Sequence, residues 1–68
     1  MKYLVLYEQS ATGFGAYVPD LPGCVAVGDT MEETKKLIQE AITLHIESLK
    51  AHGEPVPPPA TQPDFVTV

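Results

Sequence analysis

The chain has 68 residues, with nine acidic against four basic side chains and a formal net charge of −5. That length allows one domain, and a chain so short buries only about 60% of the surface its unfolded form exposes. One cysteine excludes an intrachain disulfide, and one cysteine with two histidines is too few for a closed structural zinc site. The acidic balance argues against phosphate contacts and direct DNA binding, which leaves self-association as the expected stabiliser, as a dimer or tetramer.

The N-terminal apolar run, Tyr3 to Tyr7, is too short for a secretion signal or a membrane span. A cytoplasmic protein without membrane association is the expectation. Lys2 to Glu8 reads as a first strand, apolar on both faces and therefore central in its sheet. Gln9 to Gly13 supplies a polar turn, and Phe14 to Val18 returns as a second, antiparallel strand.

Pro19-Asp20-Leu21-Pro22-Gly23 interrupts the sheet pattern: Pro19 and Pro22 fix φ and remove two donors, while Gly23 can take positive φ. A rigid turn is predicted there, followed by a short third strand, Cys24 to Val27. Thr30 and Glu33 then have capping-box spacing, so a helix starts at Met31. It runs to about Ala51 and ends before Gly53 and Pro55. Its apolar positions, from Leu37 to Leu49, spread over nearly 200° by the helical period, wider than one sheet covers. The surplus edge, around Ile42 and Ile46, is the expected oligomer contact, with Phe65 added from the C-terminal segment. Glu54 to Pro63 is proline-rich and reads as an extended, polyproline-like connector, and Asp64 to Val68 as a last strand.

The succession Gly13, Phe14, Ala16, Pro19 to Cys24, Gly28, Asp29, Thr30 and Glu33 resembles the hallmark of the HicB-like family, the antitoxin half of a toxin and antitoxin pair. The likeness extends over nearly the whole chain. It implies an α+β fold of order β-β-β-α-β: three antiparallel strands, a final strand parallel to the first, sheet order 3-2-1-4, and one helix packed on the sheet, a truncated ribonuclease-H-like arrangement. It also implies a partner, a small basic HicA-type toxin that cuts mRNA, whose RNA-binding and catalytic surface the antitoxin covers. Longer members of the family carry a C-terminal DNA-binding domain. Residues 1–68 read instead as one HicB-like domain without it.

Catalysis is not expected. Glu8, Asp20 and Asp29, the carboxylates near the first three strands, do not converge as a two-metal nuclease centre requires. Cys24 has no basic neighbour in sequence to lower its pKa, and His45 and His52 are two helical turns apart. No cofactor or metal is implied. The candidate partner-binding residues are Tyr17, Asp20, Leu21 and Cys24, with Asp20 readable either as a turn-closing carboxylate or as a contact to a basic partner. The alternative function is an orphan oligomeric module that binds a small molecule or an RNA end on the uncovered sheet face.

Overall fold

The computed structural model describes residues 1–68. The elements are β1 (Leu6–Gln9), β2 (Phe14–Tyr17), β3 (Val25–Gly28) and α1 (Met31–Ala51). The strands form an antiparallel sheet of order β1-β2-β3, with Leu6 opposite Tyr17 opposite Val25 and Tyr7 opposite Ala16 opposite Ala26. Because side chains alternate across a strand, one row points to α1 and the next to the opposite face. The helix packs over β2 and β3. Between sheet and helix lies a small core of Ala16, Val18, Leu21, Cys24 and Ile38, flanked by half-buried Tyr3, Val5, Tyr7, Ala26, Ala41, Ile42 and Ile46.

Capping and close approach set the helix start. Thr30 is extended, and its hydroxyl accepts the Glu33 N–H at 3.1 Å. Glu33 reaches back one residue further than a standard capping box: its carboxylate accepts the Asp29 N–H at 3.0 Å. Thr34, fully buried, donates its hydroxyl to the Thr30 carbonyl at 2.7 Å. A β-carbon on Gly28 would stand 2.6 Å from the Thr34 hydroxyl, and one on Gly13 would stand 2.4 Å from the Gly28 carbonyl oxygen. These two glycines let the hairpin end, β3 and the helix start meet backbone to backbone. At the far end Gly53, at φ +67, closes a Schellman motif, with Gly53 N–H on the Lys50 carbonyl and Glu54 N–H on that of Leu49.

Three sequence expectations are corrected. The first strand was expected over Lys2 to Glu8 as a central strand, but the ladder begins at Leu6 and β1 is an edge. The reason lies across the hairpin: beyond Tyr17 the Val18 N–H and C=O bond within the turn, to Cys24 and Leu21, and Pro19 has no N–H to offer. The expected final strand does not join the sheet. Asp64 to Val68 is exposed and outside any ladder, so the order 3-2-1-4 is not formed in the single chain. The connector before it is held elsewhere, by the Tyr3 hydroxyl on the Pro57 carbonyl and by Asp20 on Ala60 and Thr61. Finally, Ile42 and Ile46 are not the surplus apolar edge of the helix. They pack against the core, whereas Leu37 and Leu44, on the β3 side, are the exposed large aliphatics of α1.

Two substitutions weigh capping against close approach. Thr30→Ala is expected to cost about 1 kcal/mol, roughly 4–8 °C in Tm for a domain of this size. Gly13→Ala is expected to cost more, because its β-carbon meets backbone rather than a side chain that can rotate away. Thermal melts of the two variants check the order, and a Gly13→Ala variant as stable as the unmodified chain would contradict the close-packed hairpin end.

Candidate functional site: the proline turn and the open sheet face

The turn between β2 and β3 is two consecutive reverse turns inside a closing bond. Leu21 N–H donates to the Val18 carbonyl at 3.1 Å and Cys24 N–H to the Leu21 carbonyl at 3.0 Å, while Val18 N–H bonds the Cys24 carbonyl at 3.2 Å. Pro22 and Gly23 occupy the central positions of the second, and Gly23 at φ +85 gives it type II geometry. Leu21, shared by both turns, is driven into the core and is fully buried; Cys24 is buried beside it. Both were candidate partner contacts, and that expectation is corrected, since neither side chain can reach a partner without unfolding the turn. Burial also pushes the Cys24 thiol above its ordinary pKa, the opposite of what a nucleophile needs.

Asp20 does not close its own turn. Its carboxylate accepts the Ala60 and Thr61 N–H groups, both at 3.0 Å, and the Thr61 hydroxyl at 2.8 Å. It therefore pins the proline connector to the turn, a contact across some forty residues of sequence with no local signal to reveal it. The bonds from Thr61 and Ala60 hold the Asp20 carboxyl below the usual carboxylate range.

Tyr17 behaves as expected of a surface residue. It stands on the face of the sheet away from α1, in a row with Leu6 and Val25; the next row is Glu8, Gly15 and Val27. Val25 and Val27 are well exposed, Val27 at 77%. Gly15 carries no side chain between them, and a shallow cleft of about 520 Å³ opens there, bordered by Glu8, Tyr17, Pro19, Pro22, Val25 and Val27. At its hairpin end Glu8, Asp29 and Glu33 line a second hollow. Sequence reasoning missed Leu6, Val25 and Val27 as surface residues. The signal was present in the alternation Cys24, Val25, Ala26, Val27, once Cys24 is known to face inward.

The remaining candidates for chemistry lie apart. His45 is half-buried on α1, and His52 Nδ1 sits 2.7 Å from the Ser48 carbonyl at the helix end, where it donates as a cap. No group of three or more His, Cys, Asp or Glu side chains is placed to hold a metal ion, and no helix is long and apolar enough to cross a membrane. What the arrangement offers is a rigid, partly apolar sheet face edged with carboxylates, suited to binding by surface burial rather than by bond making.

A three-stranded antiparallel sheet with one helix and an open apolar face defines a small α+β binding domain. The family model described as HicB_like antitoxin of bacterial toxin-antitoxin system matches residues 3–66, and the chain belongs to that family. It is 50% identical over 57 residues to the UPF0150 protein ssr1765 of Synechocystis, covering 82% of this chain and 72% of that one. It is 32% identical to Antitoxin HicB 2 of Photorhabdus laumondii along its full length, which spans half of that protein. Among solved structures it resembles a chain of the HicA3 and HicB3 toxin-antitoxin complex, with TM-score 0.74 and 37% identity over 87% of this chain and 70% of that one. The crystal structure of antitoxin HicB3 aligns with TM-score 0.72 and 36% identity, over 90% of this chain and 45% of the other. The family is one of antitoxins, not enzymes.

The tether has a defined pH dependence. Because the folded-state pKa of Asp20 is lowered, its contribution is fully present above the unfolded value, near 3.8, and is lost as pH falls through the folded one. Asp20→Ala at neutral pH is expected to speed hydrogen exchange at the Ala60 and Thr61 amides and to leave core amides such as Ile38 unchanged. The unmodified chain is expected to show the same release only below about pH 4, and equal protection of both amides in the two proteins would contradict the tether.

Proposed function

We propose that this chain neutralises a small basic, RNA-cleaving toxin of the HicA type by seating its open sheet face over the toxin surface that RNA would occupy. The observation that carries the proposal is that face: Leu6, Tyr17, Val25 and Val27 exposed together, with Glu8 beside them, in a chain that shares its fold with a component of a HicA3 and HicB3 complex. Inhibition of this kind needs no chemistry from the antitoxin. Apolar and aromatic burial holds the complex together, and the net charge of −5 steers a basic partner into place and mimics the phosphates it displaces.

The open, shallow shape of the cleft over Gly15 suits a protein surface better than an enclosed small ligand. The ribonuclease-H-like reading of the fold needs a fourth strand, and Asp64 to Val68 has the β-branched and aromatic composition to supply one. In this proposal Tyr17 acts by contact, Glu8 by long-range attraction, and Leu21 and Cys24 only by shaping the turn beside the face.

Toxin-binding kinetics separate these roles. Tyr17→Ala is expected to raise the dissociation rate roughly thirty-fold if it is a central contact and to restore RNA cleavage by the toxin. Glu8→Lys is expected to slow association several-fold at low salt, with the difference vanishing at high salt. Leu21→Ala is expected to lower stability by about 2–5 kcal/mol instead, which a melt detects without toxin. Unchanged rates and unchanged inhibition by both surface variants would place the interface elsewhere.

A further inference from the structure

Four of the five glycines have a cause inside the chain. Gly13 and Gly28 allow close approach at the hairpin end and the helix start, and Gly23 and Gly53 hold positive φ. Gly15 has neither reason. Its φ is not positive, and a β-carbon built there would meet nothing nearer than the Ala26 carbonyl oxygen and a Val27 methyl, both at 4.0 Å. It sits in β2, the central strand, where glycine is destabilising because it loses the most backbone freedom and packs no side chain. A strand glycine that the fold itself does not require marks a place where something from outside approaches the backbone closely.

The surroundings define the chemistry of the visitor. Gly15 pairs with Glu8 on one side and Val27 on the other, so this row of the open face offers a carboxylate, a gap and an aliphatic wall. Tyr17, Pro22 and Val25 border the same cleft. No cation of the chain answers Glu8: its four basic residues are all lysines, Lys2 ahead of β1 and Lys35, Lys36 and Lys50 on α1, across the sheet. A notch with apolar and aromatic sides and one negative charge at its mouth fits a long side chain that is apolar along its stem and cationic at its tip.

We propose that the Gly15 notch is the socket for one arginine side chain of the basic partner, whose guanidinium lies flat on the Gly15 backbone beside the Tyr17 ring. This rests on the antitoxin reading above and names the chemical group that the open face takes. Arginine fits better than lysine because its planar, weakly hydrated head stacks on aromatic rings, whereas an ammonium would give up a tight hydration shell against Val25, Val27 and Pro22. Glu8 is exposed and draws the cation in. Gly15 sets how deeply it seats and therefore how long it stays. An arginine held in this way is withdrawn from the phosphates that it would otherwise grip.

The test fills the notch and footprints the arginines of a HicA-type toxin. Gly15→Val is expected to melt no lower than the unmodified chain, because its β-carbon has room, and to raise the toxin dissociation rate roughly tenfold or more with the association rate unchanged. Gly15→Ala, a smaller filling, is expected to act in the same direction by several-fold. The chain contains no arginine, so phenylglyoxal reads the arginines of the toxin alone. One of them is expected to be shielded in the complex with the unmodified chain and to react once Gly15→Val takes its place. An unchanged dissociation rate in both variants, or a complex that shields only lysines, overturns the socket, and the antitoxin reading survives if Tyr17→Ala still loses the toxin. A lower melting temperature for Gly15→Ala also overturns it, since the glycine would then serve the fold. A chain that does not bind the toxin at all overturns both.

Discussion

One helix can cover one face of a three-stranded sheet, and most of the surface chemistry of this protein follows from that limit. The register fixes which residues are covered: Tyr7, Ala16 and Ala26 turn to α1, while Leu6, Tyr17 and Val25 turn away. Because the helix lies over β2 and β3, its Leu37 and Leu44 flank overhangs the β3 edge. Five buried apolar residues make a small core. A core that small leaves much aliphatic surface exposed, the kind of surface that association covers.

The Pro-Asp-Leu-Pro-Gly turn does more than reverse the chain. Its backbone bonds drop Leu21 into the core, and its carboxylate, Asp20, faces outward and seizes the returning connector. The same five residues thus shape one end of the open face and fix the point from which the C-terminal segment departs. Family hallmark and physical role coincide here. Pro19 and Pro22 remove donors that the sheet would otherwise claim, and Gly23 adopts a conformation that a β-carbon would strain. At the other end of the sheet Gly13 and Gly28 serve close approach instead, which is a different reason for the same residue type.

The elements legible in the sequence were those set by local chemistry. The helix, its Thr30 cap and its Gly53 stop lie where spacing places them, and the proline turn and the two hairpins follow from Pro and Gly positions. The family was legible for the same reason, because its hallmark is a run of such residues. Long-range pairing was not. Asp20 and Thr61 share no pattern that marks them as partners, and that contact, with Tyr3 on Pro57, carries the final segment away from the first strand. The helical period alone could not say which flank of a wide apolar arc meets the sheet, so Ile42 and Ile46 were expected outside and Leu37 and Leu44 were overlooked. Leu21 and Cys24 are candidate partner contacts by sequence, whereas two tight turns in succession force the residue between them inward.

The central claim is that the open sheet face is the surface that meets a toxin. Amide chemical-shift mapping of the isotopically labelled chain, titrated with a HicA-type toxin, tests it most directly. The account predicts the largest changes at Leu6, Glu8, Gly15, Tyr17 and Val27, with the solvent-facing positions Lys36, Gln39 and Thr43 of α1 unaffected. Changes concentrated on those helix positions, with the strand amides unmoved, would contradict it.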